Sequence, residues 1–540
     1  MYFPLCKEFR ARKGMVITKH PLASHIGLEI LKRGGNAVDA AIASAFAIGV
    51  VEPHMSGLGG GTWIVIHLSN KEDFLIDASP KVPSKIQPFE LKEGYGSMYG
   101  WKKVKEDENL IGYRSILTPA SLAGLSLAIE KFCKFSLEEL IEPSIKLAEE
   151  GFSITPSFTL ALVQEYENII RYEETAKIFL RNGKYALKPC FQEPLSPADV
   201  LVQRDLASTL KLIAKRGKEE FFKGEIANRI AEDLERNEGF VKYSDLANYE
   251  ARFMKPQKGT YRNSQIFTTI AHGGATLIQI LNLLEGFNLR KYKHNTFEYL
   301  YLLAKAMGLA FRDRYNRLAD PDTEKVDLAF LLSKAYAEEL RKNLQEDFKL
   351  KSNLNLSCTT HICACDKEEN MVSLTQTLGM LFGSKVVIKG TGLLMNDGFM
   401  WFDPTGKSIA RILPNKYPLG AATPSIVNFH GNYLCIGAPG GRRIIGAVLQ
   451  GILNVLEYDM GPQRALERPR IDYSTDEVLV DYRLENKVKK LIKYGLKVRI
   501  VREDMSSFNF ASPIAILRDK EGIMYSGIDP YKPDNSVACF

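Results

Sequence analysis

A chain of 540 residues, 45% hydrophobic and 25% charged, has ordinary globular composition and enough apolar residues for a large core. Its net charge of +7 is scattered. "RGKEEFFKGE" and "LRKNLQEDFKLK" mix both signs, and no basic stripe with interleaved aromatics argues for a nucleic-acid partner. The N-terminus "MYFPLCKEFRARKGM" has no apolar h-region, so no signal peptide is expected. The longest apolar run, residues 37–51, is too short to span a bilayer and contains Asp39. Eight cysteines without a secretion signal favour free thiols and a cytoplasmic protein with no membrane partner.

In chain order, "HPLASHIGLEILKR" (20–33) predicts an amphipathic helix, with Pro21 near its start and Gly34-Gly35 at its end. A second helix, about 37–50, is so rich in alanine that it must pack closely against a neighbour. "SGLGGGTWIVIHL" then reads as a glycine-rich turn feeding a strand. No GK[ST] and no helix follow, so close backbone packing is expected rather than a phosphate loop. Residues 119–150 and 204–237 read as helical, and 276–317 as two further helices. The stretch from about 340 to 357 loses apolar periodicity and is expected to be exposed. From Thr359 the chain turns to short strands, "THICACD", "MVSLTQT", "SIVNFHG", "YLCIGA", "VLVDY", "KVRIV" and "IAILRD", interrupted by a helix at 445–457. Helix blocks around strand blocks predict a layered α+β architecture.

"LSCTTHICACD" (356–366) poses a choice. Cys358, His361, Cys363 and Cys365 could ligate a metal. As a strand, however, Cys358 falls on the opposite face from the other three, and no second ligand pair exists elsewhere. No metal and no cofactor are therefore expected, and the cysteines read as small core residues. The other choice is Thr359 or Thr360 as a nucleophile. A threonine hydroxyl needs a base, and an N-terminal threonine carries one in its own α-amine. The polar stretch before it is a place where a cut would cost little structure. "SLTQT" (373–377) can pair with 359–365 as a hairpin and offers a second hydroxyl. "GAPGGRR" (437–443), between a strand and a helix, offers glycine amides for an oxyanion.

With these residues the chain resembles the γ-glutamyltranspeptidases, which are N-terminal-nucleophile hydrolases. The likeness runs from about residue 14 to the C-terminus. It is carried in order by "GMVITKHPLASHIGLEILKRGGNAVDAAIASAFAIGVVEPHMSGLGGG", "TPASLAGLSLAIEKF", "AFRDRYNRLADPD", "TTHICACDKEENMVSLTQT", "PLGAATPSIV" and "GAPGGRRIIGAVLQ". The resemblance implies a four-layer αββα sandwich. It also implies self-cleavage between Cys358 and Thr359 into a helix-rich large subunit (1–358) and a strand-rich small subunit (359–540) that stay together as one fold. Thr359 is then the nucleophile, Thr377 its hydroxyl partner, and Gly440 and Gly441 the oxyanion donors. Thr360 and His361 are expected to be structural. The implied activity is acyl-enzyme cleavage of γ-glutamyl amides such as glutathione, with transfer to water or to an amino acid or peptide acceptor. Association of processed heterodimers into a homo-oligomer stays open.

The sequence also departs from the family pattern. Where relatives carry an Arg for the substrate α-carboxylate, "KVPSKIQPFEL" has only Lys81 and Lys85. A family Asn is Gly379, and paired serines are Gly420 and Ala421. Candidate replacements are Arg442, Arg443, Asp397 and Asp403, with Trp401 as a pocket wall; the two arginines read equally as surface charges or ion-pair partners. Two alternatives stand beside the main reading: an acylase of the cephalosporin or glutaryl-amide kind, and an uncleaved, non-catalytic binding protein.

Overall fold

The computed structural model describes residues 7–95, 101–190, 196–342, 344 and 358–540. The chain builds two seven-stranded antiparallel sheets stacked face to face, with helices on both outer faces. The first sheet runs, edge to edge, Arg252–Met254, Asp73–Ala78, Gly61–His67, Met371–Gly379, Cys358–Asp366, Gly14–Thr18 and Ser536–Cys539. The second runs Arg10–Ala11, Met524–Ile528, Ile514–Arg518, Asn432–Gly437, Ser425–Phe429, Ser264–Thr268 and Gln257–Tyr261. Both sheets combine strands from before and after residue 358, so the halves on either side of that position share one core.

Side-chain alternation along Cys358–Asp366 sorts residues into different cores. Ile362 and Ala364 point to the core under the N-terminal helices. Cys363 and Cys365 join Cys435, Ile514 and Ile516 between the sheets. A third core lies under Gly273–Glu285, Phe297–Arg317 and Arg443–Tyr458 on the far side. The fold is thus the expected four-layer αββα sandwich.

The first helix spans Pro21–Lys32 and the second Ala37–Val51. The second starts from an Asn36–Asp39 capping box and is buried nearly all round. Alanine makes this possible: the helices approach so closely that a Cβ on Gly27 would overlap Ser44 Oγ. The glycine run before strand Gly61–His67 serves close packing, as expected. A Cβ on Gly60 would overlap the carbonyl oxygen of Thr377, so only glycine lets this turn lie against the end of strand Met371–Gly379.

Two predicted helices are split. Residues 119–150 form Ser121–Phe132 and Leu137–Glu150, the second opened by a Ser136–Glu139 capping box. Residues 204–237 form Arg204–Arg216, Lys218–Phe222 and Glu225–Arg236, divided at Gly217 and Gly224. Strands Gly14–Thr18, Asp73–Ala78, Met524–Ile528 and Ser536–Cys539 carried no alternation that separated them from loops. Of the stretch expected to be exposed, 340–342 ends helix Lys334–Lys342, Leu340 and Leu344 are instead buried, and 343 and 345–357 lie outside the described residues.

Candidate active site

Strand Cys358–Asp366 pairs antiparallel with Met371–Gly379, as the predicted hairpin. The ladder sets Cys358 opposite Gly379, then shifts register before Thr360 pairs with Gln376, which leaves Thr359 at the irregularity. Two hydroxyls converge there on one carbonyl. Thr359 Oγ1 and Thr377 Oγ1 each donate to the Cys358 carbonyl oxygen at 2.6 Å, and the two hydroxyl oxygens are 3.2 Å apart. Gly379 N–H donates to Thr377 Oγ1 at 3.0 Å, which occupies a lone pair of that hydroxyl and turns its proton toward the carbonyl. A hydroxyl oxygen therefore sits against the peptide bond that precedes it, and a second hydroxyl donates to the same carbonyl.

His361 is buried and engaged at both ring nitrogens. Its Nδ1 meets Thr375 Oγ1 at 2.9 Å and its Nε2 meets Ser373 Oγ at 3.3 Å. Burial pushes the ring down to about 3, so it is neutral, and its place leaves no room for a Cβ on Gly437. The proposed metal ligands also diverge. Cys358 packs in the core under the N-terminal helices, while Cys363 and Cys365 face the other sheet.

Thr359, Thr377, Gly441, Gly420 and Ala421 line one small cavity, closed further by Trp63 and Trp401. Its volume of about 20 Å³ matches about one water, and no charged side chain lines it among the described residues. The Gly420 turn is fixed from behind. Arg314, fully buried, donates to the carbonyl oxygens of Gly420 (2.8 Å) and His272 (2.9 Å). Gly420 N–H donates to His272 Nδ1 at 3.2 Å, and His272 Nε2 lies 3.2 Å from both Trp63 Nε1 and Asp77 Oδ2. Trp63 Nε1 donates to Ser79 Oγ at 3.0 Å, and Ser79 donates to Asp77 Oδ1 at 2.6 Å. Burial alone would raise the Asp77 carboxyl; His272 and Arg252 beside it overcome this and hold it below the usual carboxylate range.

Gly441 apart, the remaining candidates lie outside that lining. Gly440 and Gly441 both have positive φ (+134° and +61°), in a turn that leads into helix Arg443–Tyr458. Gly440 faces a second, neighbouring pocket. Neither Arg442 nor Arg443 is a surface charge: both are buried, and Arg443 donates to the carbonyls of Gly440 and Phe508. Asp403 is spent on its own loop, accepting from Thr405 and Ser408. Lys81 stacks over the Tyr417 ring, and Lys85 is exposed. Asp397 Oδ1 accepts from Met380 N–H at 3.1 Å, and burial pushes its carboxyl up to about 7. A Cβ on Gly379 would overlap that same oxygen. The Asp397 carboxyl thus fills the space a side chain at 379 would need.

Sequence reasoning missed Glu52 and Lys19. Thr360 Oγ1 donates to Glu52 Oε2 at 2.9 Å, and burial pushes that carboxyl up to about 8. Lys19 Nζ donates to Ser512 O, Ser512 Oγ and Asn535 Oδ1, each at 2.7 Å, and burial draws it down to about 7. Both charges close long apolar runs, "MVIT" and "AFAIGVV", which was the available signal. Because folding raises the Glu52 pKa above its ordinary 4.5, the folded chain holds this proton more tightly than the unfolded one. Its contribution is therefore most favourable below pH 4.5 and is lost as pH rises toward 8. Glu52→Gln should have a melting temperature close to that of the unaltered protein at pH 5 and a growing advantage up to pH 8. A difference that stays constant across that range would show that Glu52 is ionised in the fold.

Comparison with known proteins agrees with this architecture. The family profile described as Gamma-glutamyltranspeptidase matches residues 23–539. The glutathione hydrolase proenzyme of Escherichia coli (strain K12) is 32% identical, over 98% of this chain and 92% of that protein. The Acylase ACY 1 proenzyme of Pseudomonas sp. (strain SE83) is 35% identical, over 86% of this chain and 83% of that protein. Among solved structures, the cephalosporin acylase from Bacillus halodurans superposes with a TM-score of 0.88 at 25% identity, covering 100% of this chain and 98% of that one. The γ-glutamyltranspeptidase of Helicobacter pylori does so with a TM-score of 0.55 at 34% identity, covering 61% and 91%. The chain belongs to the γ-glutamyltranspeptidase family of N-terminal threonine amidohydrolases.

Proposed function

We propose that this protein is a proenzyme that cuts itself before Thr359 and then cleaves γ-glutamyl amides, glutathione among them, through an acyl-enzyme on Thr359. The observation that carries this reading is the pair of threonine hydroxyls on the Cys358 carbonyl. In maturation, Thr359 Oγ adds to the Cys358 carbonyl carbon while Thr377 steadies the developing negative charge on its oxygen. The C–N bond breaks, the acyl group passes to Oγ, and water hydrolyses the ester. This frees the Thr359 α-amine, the base a threonine nucleophile needs. In turnover the same oxygen attacks a substrate amide, with the N–H groups of Gly440 and Gly441 as oxyanion donors. The α-amine passes the proton to the departing amine, and water or a second amine takes the acyl group. The large (1–358) and small (359–540) subunits stay joined because each contributes hydrogen-bonded strands to both sheets. The described cysteines are all free thiols, which supports a reducing, cytoplasmic setting as part of the proposal.

One observation favours a second reading, an acylase acting on amides without an α-amine. The lining around Thr359 is indole, glycine, alanine, isoleucine and threonine hydroxyl, with nothing to pair a buried ammonium or carboxylate. A site that lacks such partners also imposes no penalty when the substrate lacks the groups.

Matched γ-glutamyl and glutaryl anilides should therefore both be cleaved, with kcat/KM values that differ by less than about 10³-fold, below the range of charge-paired recognition. A larger preference for the γ-glutamyl compound would show that charged groups beyond this lining grip the α-carbon. Thr377→Val should slow maturation and turnover by about 10²-fold each while leaving the fold intact. Unchanged rates would remove Thr377 from the machinery.

A further inference from the structure

One helix holds the strand that carries Thr359 at both ends. At the far end, Ala37 N–H, the first of helix Ala37–Val51, donates to Asp366 Oδ2 at 2.8 Å. At the near end, Thr360 Oγ1 donates to Glu52 Oε2 at 2.9 Å. Glu52 closes the same helix, its own N–H donating to the Ile48 carbonyl. The two lengths match. Strand residues 360–366 cover about 20 Å. Helical residues 37–52 cover about 22 Å. Both clamps can therefore close at once, and the buried helix lies along the strand as a splint.

The near clamp sits where the strand most needs one. The hairpin shifts register between Cys358 and Thr360, so Thr360 is the first residue paired beyond the break. Across the ladder from it lie Gln376 and then Thr62. The side-chain amide of Gln376 and the hydroxyl of Thr62 are buried and meet no hydrogen-bonding partner among the described residues. In that row the Thr360–Glu52 bond is thus the tie between sheet and helix. Lys19 and Asp534 are the charged groups that act on Glu52, and burial pushes its carboxyl up to about 8. At neutral pH it therefore works as an uncharged hydrogen-bonding group. A strand that slips at a register break carries its side chains away from their targets. We propose that Glu52 is a positioning residue: through Thr360 it fixes the start of the strand and so sets the Thr359 hydroxyl on its target carbonyl, in maturation and in turnover. This assignment rests on the acyl-enzyme reading above.

The test follows release of the 359–540 chain from freshly synthesised precursor, then kcat and KM of the matured protein for a γ-glutamyl anilide. Glu52→Leu and Thr360→Val each remove one side of the bond. Each should slow maturation and kcat by about 10-fold and leave KM within about twofold, as a displaced nucleophile does. Glu52→Gln keeps an acceptor for Thr360 and should hold both rates within about threefold of the unaltered protein. The double variant Glu52→Leu/Thr360→Val should be no slower than either single variant, because both break the same link. If Glu52→Leu does not fold, Thr360→Val against Glu52→Gln carries the comparison. Lower melting temperatures with both rates unchanged would make the bond merely structural and overturn the proposal. So would a Glu52→Gln protein as slow as Thr360→Val, a loss confined to KM, or additive losses in the double variant. Each of these leaves the acyl-enzyme reading in place. An unaltered protein that neither matures nor turns over would bring down both.

Discussion

Everything else in the site is arranged around one carbonyl group. The Cys358 oxygen accepts from two threonine hydroxyls, and both reach it because the hairpin breaks register at Thr359. The supports are backbone features. Gly379 N–H orients Thr377, Gly60 lets the neighbouring turn lie against the Thr377 peptide, and the alanine-rich helix Ala37–Val51 packs flat beneath the strand pair. A hydrogen bond between small hydroxyls is worth about 1 kcal/mol in stability. Its value here lies in position, which the surrounding packing fixes before any chemistry begins.

The same packing explains how the substrate side has diverged from the pattern the sequence suggested. The charged candidates are occupied elsewhere: Arg443 braces the glycine turn, Asp403 closes its own loop, and Asp397 fills the space beside Gly379. What remains around Thr359 is two indoles and small residues, backed by the Arg314–His272–Asp77 network. In the proposed reading, the chemistry at the scissile bond and the recognition of the acyl group rest on separate sets of residues, and one can change while the other is kept. That separation fits a family whose relatives of similar identity to this chain carry both glutathione hydrolase and acylase names.

The parts legible in the sequence were those written as local patterns. The Thr359–Thr377 hairpin shows as alternation in two adjacent strands, and the ends of the first helix show as Pro21 and the paired glycines Gly34-Gly35. The breaks within 119–150 and 204–237 were missed because capping at Ser136 and turns at Gly217 and Gly224 interrupt otherwise continuous helical periodicity. The buried Lys19 and Glu52 were missed for a different reason. Each is bonded to residues far along the chain, at Asn535 and Thr360, so no spacing rule connects them. Long-range burial also decided the fate of Arg442 and Arg443, which the sequence left equally open as surface charges or ion-pair partners.

The central claim is that Thr359 becomes an N-terminus by its own action. Intact mass and N-terminal sequencing of the purified protein test this most directly, with Thr359→Ala prepared alongside. The account predicts two chains, residues 1–358 and 359–540, the second beginning Thr-Thr-His, and a Thr359→Ala protein that stays whole. An unaltered protein that hydrolyses its substrate as one continuous chain, with Thr359 still in a peptide bond, would contradict it.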